Sequence, residues 1–240
     1  MPKLTFIMFG RNDADQEELK VGLSIDSLLD QSVEDYNILF YDLSPDNLFS
    51  LPRHNKLIVK YLPLGFDEEF SPAYYRNLGA LEADGEYICH TNTDCIFAHN
   101  FVETLLAHLG KNIMVCCRRK YGTREDTEKI TTLENARKLG ASKTPKLQGK
   151  QACGECQCLQ KEWFIKNGGY HKCINAGKSI PPKDTIYRED TMLSNLVNGT
   201  KGMKIYWAND KTWILHLFHY KRTAKKVYML KRGIKQGGKK

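Results

Sequence analysis

Short apolar runs alternate with segments of helical periodicity through the first half of the chain. The runs predict strands at residues 4–9, 36–41, 56–61, 87–91 and 113–117, and the periodic segments predict helices at 17–31, 72–84 and 101–109. Strands that alternate with helices favour an α/β domain with a mostly parallel central sheet and helices on both faces. Such a sheet binds ligands at the carboxyl ends of its strands, so residues that follow a strand are candidates for chemistry.

Residues 118–151 interrupt this pattern because they are polar and rich in Lys, Thr and Glu. They predict one surface helix at 131–139 within a mobile loop. The pattern then resumes with a strand at 156–160, helices at 161–167 and 189–197 around a loop at 175–186, and strands at 204–207 and 212–216. We expect one domain over residues 1–220, followed by a basic tail at 221–240 that contains a helix at 224–232.

The net charge of +8 arises in this tail, where residues 221–240 hold nine Lys or Arg and no acidic residue. The rest of the chain is nearly neutral, so we expect no nucleic-acid partner for the domain. A tail helix with Val227, Leu230 and Ile234 on one side would suit peripheral contact with an anionic membrane. Packing of that helix on the domain is the favoured alternative.

The lengths of the apolar runs and the cysteines indicate the cellular compartment. No run approaches the ~18 residues of a membrane span, and the first one is too short for a signal peptide, so we expect a reducing cytoplasm. Among eight cysteines, Cys153 and Cys156 have zinc-knuckle spacing, with Cys158 or Cys173 as further ligands. Structural zinc and a disulfide stay open as alternatives, and burial of small apolar side chains is favoured.

The tripeptide Asn92-Thr93-Asp94 follows the predicted strand at 87–91 without a gap. Residues two apart on an extended segment face the same side, so Asn92 and Asp94 can both point into one cleft. A carboxylate at this edge is a good ligand for Mg²⁺ or Mn²⁺, which bridge to phosphates. The alternative is an ordinary turn in which Asn and Asp cap the next segment.

The segment at 76–88 runs from Arg-Asn-Leu-Gly into an apolar strand, and it resembles the family 2 glycosyltransferases of the GT-A fold ahead of their D-x-D motif. Five other segments resemble this family in the same order: 6–12, 27–31, 41–46, Gly168-Gly169-Tyr170 and Arg188-Glu189-Asp190. The resemblance covers about residues 4–220. It departs from the family at the first position of the motif, where Asn92 replaces Asp and gives a metal one less charge.

This resemblance implies transfer of a sugar from a UDP- or GDP-linked donor to an acceptor hydroxyl, with inversion. It implies a nucleotide-binding half at about 1–118 and an acceptor half at about 150–220, with a glycan, a protein or a lipid-linked molecule as acceptor. The residues implied to bind the nucleotide-sugar are Asn12, Asp42, Arg76, Asn77, Asn92 and Thr93.

The resemblance also implies that Asp94 binds Mn²⁺ or Mg²⁺ and that a His near the last strand completes the metal shell. We assign this role to His216, because His219 would share its face only in a helix; an imidazole ligand favours Mn²⁺. Asp190 is implied as the general base, with Glu189 touching the acceptor or orienting Asp190. The alternatives are N-capping by Asp190 and packing of His216 at the sheet edge.

Two other functions stay open. A nucleotidyltransferase uses a similar sheet and metal, but the loop at 10–15 is acidic and holds a single Gly, which is unlike a triphosphate-binding loop. A non-enzymatic module would instead bind an anionic surface through the tail at 221–240.

Overall fold

A computed structural model describes residues 2–12, 17–46, 48–64, 72–145, 155–170 and 189–219. Its strands are β1 (Leu4–Gly10), β2 (Tyr36–Asp42), β3 (Leu57–Tyr61), β4 (Tyr87–His90), β5 (Cys95–Phe97), β6 (Ile113–Cys116), β7 (Arg119–Tyr121), β8 (Gln157–Gln160), β9 (Lys204–Trp207) and β10 (Ile214–His216). Its helices are α1 (Glu17–Leu29), α2 (Pro72–Glu82), α3 (Phe101–His108), α4 (Arg124–Glu128), α5 (Leu133–Ser142), α6 (Lys161–Lys166) and α7 (Glu189–Gly199).

The large sheet has seven strands in the order β3-β2-β1-β4-β8-β6-β9. β8 runs antiparallel to both of its neighbours, whereas the other strand pairs are parallel. β1 lies between β2 and β4, and its apolar side chains are buried on both faces, as expected for a central strand of a parallel sheet. The carboxyl ends of β1, β2 and β4 therefore meet at one edge.

Helices cover both faces of the large sheet. α1 and α3 pack on one face with Phe6 and Met8 of β1, while α2, α6 and α7 pack on the other with Ile7. This split follows from the alternation of side chains along a strand. The predicted fold class is confirmed: one α/β domain whose mostly parallel sheet has helices on both faces.

A second, small sheet has three strands in the order β5-β10-β7. β10 pairs antiparallel with β5 and parallel with β7, so it lies between two segments that are far from it in the sequence. A separate apolar cluster supports this sheet, and it includes Leu23 of α1, Ala136 of α5 and Leu215 of β10.

The expectation of a mobile loop around one helix at 118–151 is wrong for residues 119–142. This segment forms β7, α4 and α5, and the helix predicted at 131–139 corresponds to α5. Thr123 and Thr132 cap the two helices with their side chains. The segment looks polar because it buries only a few apolar residues against the small sheet. β5, which has three residues, was also not predicted.

The turn after α6 matches its prediction. Gly168 and Gly169 have φ values of 85° and 58°, and their N–H groups bond back to Ile165 and Phe164 carbonyls at 3.0 and 2.9 Å. Glycine adopts this left-handed conformation without the strain a side chain would cause, and it ends the helix.

Several sequence predictions fall outside the described residues, namely the loop at 175–186, the tail at 221–240 with its helix, Cys153 and Cys173. The six cysteines that the structure does describe are buried free thiols, as expected for small apolar side chains. Within the described ranges, no helix is both long enough and apolar enough to cross a membrane.

Candidate active site

The motif Asn92-Thr93-Asp94 lies at the carboxyl edge of the large sheet, two residues after β4 ends at His90. Its first residue faces α2: the Arg76 guanidinium donates to Asn92 Oδ1 at 3.0 Å. Arg76 is 3 % exposed, and its guanidinium lies 5.9 Å from the Phe9 ring and 5.6 Å from the Tyr170 ring. The structure thus brings Arg76 and Asn92 together, and Thr93 occupies the partly buried turn between Asn92 and Asp94.

The last residue of the motif belongs to the small sheet. Asp94 directly precedes β5, where Cys95 pairs with His216 of β10. The Leu217 N–H donates to the Asp94 carbonyl at 2.8 Å and extends this pairing by one step. Strand pairing therefore holds the Asp94 carboxylate beside the end of β10.

Asp94, His216 and His219 form a group whose ligand atoms all lie within 4.8 Å of one another. Asp94 Oδ2 is 3.4 Å from His216 Nε2 and 3.0 Å from His219 Nε2. Burial by itself would raise the pKa of the Asp94 carboxyl, but the two imidazoles hold this pKa below its usual range. Burial lowers the pKa of His216, which favours the neutral imidazole that metals bind.

These three side chains fit a divalent metal ion. One carboxylate and two imidazoles are donors that suit a transition ion such as Mn²⁺ better than Mg²⁺, which prefers oxygen. In the part of the chain that the structure describes, no other group of three or more His, Cys, Asp or Glu side chains is arranged to hold a metal. Asp94 and His216 were expected to lie together, and they do.

Asp42 and Asn12 hold the loop that follows β2. The Asp42 carboxylate accepts from the backbone N–H groups of Ser44 at 2.9 Å and Phe49 at 3.0 Å. The Asn12 N–H donates to Ser44 Oγ at 2.8 Å, so the ends of β1 and β2 are joined. Both residues lie at the edge where the sequence predicts nucleotide binding, and their contacts also give them a structural role.

Asn77 anchors the turn after α6. Its side-chain amide donates to the Tyr170 carbonyl at 3.0 Å and accepts from the Tyr170 N–H at 2.9 Å. Because Asn77 is buried, these two hydrogen bonds fix the distance between α2 and Tyr170. A direct contact between Asn77 and the donor stays a prediction.

Glu189 and Asp190 are the first two residues of α7, which packs against β9. The structure describes them only as part of this helix. The first turn of a helix stabilises a carboxylate through the helix dipole, as the sequence-based role of Asp190 requires. Their roles as catalytic residues stay predictions.

The sequence did not single out His219, Glu155 or Arg119 as site residues. His219 was set aside because two His residues three apart share a face only in a helix, yet here both reach Asp94 from a segment that is not helical. Glu155 and Arg119 form an ion pair beside His216. They come from separate segments, so no local motif joins them.

The fold agrees with solved structures of low sequence identity. S. aureus TarS superimposes with a TM-score of 0.60 at 14% identity, over 90% of this chain and 37% of that one. GalNAc-T7, solved with UDP, GalNAc and Mn²⁺, gives a TM-score of 0.55 at 14% identity over 92% of this chain and 45% of that one. S. aureus TarS 1-349 in complex with UDP gives a TM-score of 0.54 at 12% identity, over 90% of this chain and 60% of that one.

These likenesses show that the protein has the GT-A fold. The family model "Glycosyl transferase family 2" matches residues 16–168, which is more than half of the chain. The chain therefore belongs to glycosyltransferase family 2. It spans only 37% to 60% of the length of the solved chains above. No curated protein sequence matches it significantly.

Proposed function

We propose that this protein transfers a sugar from a UDP- or GDP-linked donor to an acceptor hydroxyl, with inversion and with the help of Mn²⁺ or Mg²⁺. The observation that carries the proposal is the group of Asp94, His216 and His219 at the carboxyl edge of a GT-A sheet. The presence of UDP, GalNAc and Mn²⁺ in the structure of GalNAc-T7 supports it. Imidazole ligands favour Mn²⁺ over Mg²⁺.

The donor would lie along the carboxyl ends of β1, β2 and β4. Asn12 and Asp42 stand at the ends of β1 and β2, where they would contact the nucleoside. Arg76 keeps a positive charge near Asn92 and would offset the charge of the diphosphate. Asn77 and Thr93 would complete this side of the site.

Asp94, His216 and His219 would hold the metal against the diphosphate. A divalent ion there acts as a Lewis acid that stabilises the negative charge of the departing nucleoside diphosphate. The pKa of Asp94 is below its usual range and burial lowers the pKa of His216, so at neutral pH a carboxylate and a neutral imidazole are available to bind a cation.

Asp190 would act as the general base. Its carboxylate takes the proton of the acceptor hydroxyl while the acceptor oxygen forms a bond to the anomeric carbon. The bond from that carbon to the diphosphate oxygen breaks on the opposite side, which inverts the configuration. Glu189, the neighbouring residue, would contact the acceptor or orient Asp190.

The acceptor is a glycan, a protein or a lipid-linked molecule, and nucleic acid is not among the expected partners. The basic tail at 221–240 would suit peripheral contact with an anionic membrane. A reducing cytoplasm is our proposal for the compartment, and the buried free thiols support it. We also propose that residues 1–118 bind the nucleotide and residues 150–220 bind the acceptor.

The test measures thermal stabilisation and transfer with a panel of UDP- and GDP-sugars, with and without Mn²⁺. Asp94→Ala should lose the Mn²⁺-dependent stabilisation and about 10²–10³-fold of transfer, the usual cost of removing a charge-stabilising group. Asp190→Asn should keep the stabilisation and lose about 10²–10⁴-fold of transfer, since it removes only the base.

Asp84→Ala is the matched control, because Asp84 is an exposed aspartate just before the opposite end of β4. It should behave as the wild type in both assays. Full transfer activity in Asp94→Ala would refute metal-assisted transfer at this site. Full activity in Asp190→Asn would remove Asp190 from the mechanism and leave the metal site standing.

A further inference from the structure

Glu155 is a buried carboxylate beside the proposed metal centre. It is 2 % exposed, and its Oε1 pairs with the Arg119 guanidinium and lies 3.9 Å from His216 Nε2. Its second oxygen, Oε2, is buried and has no hydrogen-bond partner in the part of the chain that the structure describes. A buried carboxylate oxygen without a partner is costly, so this position calls for a cation or a donor.

The backbone holds Glu155 in place. Its carbonyl accepts from Thr91 Oγ1 at 2.9 Å, and Thr91 directly precedes the Asn92-Thr93-Asp94 motif. Two residues later, Gln157 pairs with His90 at the end of β4. Glu155 is therefore tied to the same strand end as the motif, although it lies far from the motif in the sequence.

The charges at the centre show what Glu155 would add. Asp94 brings one negative charge, neutral imidazoles bring none, and Asn92 is a neutral amide bonded to Arg76. A divalent ion held by Asp94, His216 and His219 would keep one uncompensated positive charge in a largely buried place. Glu155 places another carboxylate beside His216, and its Oε2 has no hydrogen-bond partner among the described residues.

We propose that Glu155 is the second anionic residue of the metal centre and that it raises the affinity for Mn²⁺. This inference rests on the proposed function, because it takes Asp94, His216 and His219 as the metal ligands. Arg119 competes with the ion for the Glu155 carboxylate and also contacts the Tyr121 ring, whose centroid is 5.6 Å from that of His216.

The role of Arg119 separates this proposal from a structural one. If the Glu155–Arg119 pair only stabilises the fold, removing either partner lowers stability and leaves Mn²⁺ affinity unchanged. If Glu155 serves the metal, the two substitutions act in opposite directions on Mn²⁺ affinity. Glu155→Gln keeps the shape and removes the charge, whereas Arg119→Met removes the competing cation.

The experiment measures Mn²⁺ binding to the full chain without nucleotide, from the electron paramagnetic resonance signal of free Mn²⁺. Glu155→Gln should weaken binding about 10–100-fold, the range for residues that support metal ligands. Arg119→Met should bind Mn²⁺ more tightly than the wild type. Glu82→Gln is the control, because Glu82 is the last residue of α2, pairs with Lys60 and should not change binding.

Equal Mn²⁺ affinity in Glu155→Gln and wild type would overturn the inference and leave the proposed function intact. If neither the wild type nor Asp94→Ala binds Mn²⁺, both the inference and the proposed metal-assisted function are overturned. Should Glu155→Gln fail to fold, the double variant Arg119→Met/Glu155→Gln decides, because it leaves no unpaired buried charge: weaker Mn²⁺ binding than in Arg119→Met supports the inference, and equal binding overturns it.

Discussion

The two sheets of this domain differ in how they are built and in what they bring to the site. The large sheet contains strands of up to seven residues, and several of them are neighbours both in the sequence and in space. The small sheet consists of three strands of three residues each, drawn from distant parts of the chain. The residues that we propose to bind the donor lie on or beside the large sheet, while the small sheet brings together the side chains that we propose to bind the metal.

From this difference we expect the stability of the domain and its affinity for a metal to depend on different sheets. The large sheet buries most of the apolar side chains, so it supplies the greater share of the hydrophobic stabilisation. The small sheet adds little buried area, but its pairing of Cys95 with His216 places Asp94 beside two histidines. Damage to the large sheet should therefore cost stability, and damage at the end of β10 should cost metal affinity.

The largest effect is expected from the histidines at the end of β10. His216→Ala and His219→Ala should each weaken Mn²⁺ binding by at least about 10–100-fold, because each removes a ligand atom close to Asp94. Binding of UDP without metal should not change, since the contacts that we propose for the nucleotide lie on or beside the large sheet. Isothermal titration with Mn²⁺ and with UDP measures both.

His99→Ala is the matched control, because His99 is a largely exposed histidine that contacts Asp30. It should leave both affinities unchanged. Normal Mn²⁺ binding by His219→Ala would show that His216 and Asp94 suffice, as the sequence alone suggested. A loss of metal-free UDP binding in either variant would break the division between the two sheets.

A smaller effect, on stability alone, is expected where α2 meets β1. A Cβ at Gly79 would lie 2.3 Å from Ile7 Cγ2, so Gly79→Ala forces the helix away from the large sheet. Such overpacking costs about 1–3 kcal/mol of the free energy of unfolding. Urea denaturation measures this loss, and Mn²⁺ affinity should stay at the wild-type value.

Gly22→Ala provides the comparison, because Gly22 is inside α1 and a Cβ there meets nothing within 4 Å. It should raise the free energy of unfolding by about 0.5–1 kcal/mol, since Ala favours a helix. Equal stability of Gly79→Ala and wild type would contradict the close approach of α2 to β1. A changed Mn²⁺ affinity would show that the two sheets are coupled.

The smallest effect concerns the helices that cover the small sheet. Bonds from Lys143 and from the Thr123 backbone lower the pKa of Asp126 to about 2. A carboxyl with a depressed pKa stabilises the fold at pH values above the ordinary pKa of an aspartate. This contribution is lost as the pH falls toward 2. Asp126→Asn should lower the melting temperature by about 2–4 °C at pH 5, for a cap worth about 1 kcal/mol.

Thermal melts at several pH values check this prediction. The difference between wild type and Asp126→Asn should shrink as the pH is lowered, because the wild-type carboxyl becomes protonated. A difference that stays constant with pH would mean that the shape of Asp126, and not its charge, matters. Since Thr127 of the same helix accepts from the Phe218 N–H at 2.8 Å, a small drop in Mn²⁺ affinity would link α4 to His219.

Much of the large sheet could be predicted because its signals are local. A buried strand such as β1 shows as an apolar run, and the left-handed Gly168 and Gly169 mark a helix end by themselves. The same logic placed Asp94 and His216 at strand ends, where a parallel sheet presents its ligands. Strands of three residues, such as β7, carry too few positions for any pattern to show.

The sequence by itself determined the family, the central sheet and the position of the Asn92-Thr93-Asp94 motif, since each depends on residues that are close in the chain. Tertiary structure alone decided which side chains meet there. It joined Asp94 to His219 through strand pairing, and it buried Glu155 with Arg119 beside His216. The physical reason is that contacts between distant segments depend on how the chain packs, which no local pattern of apolar and polar residues records.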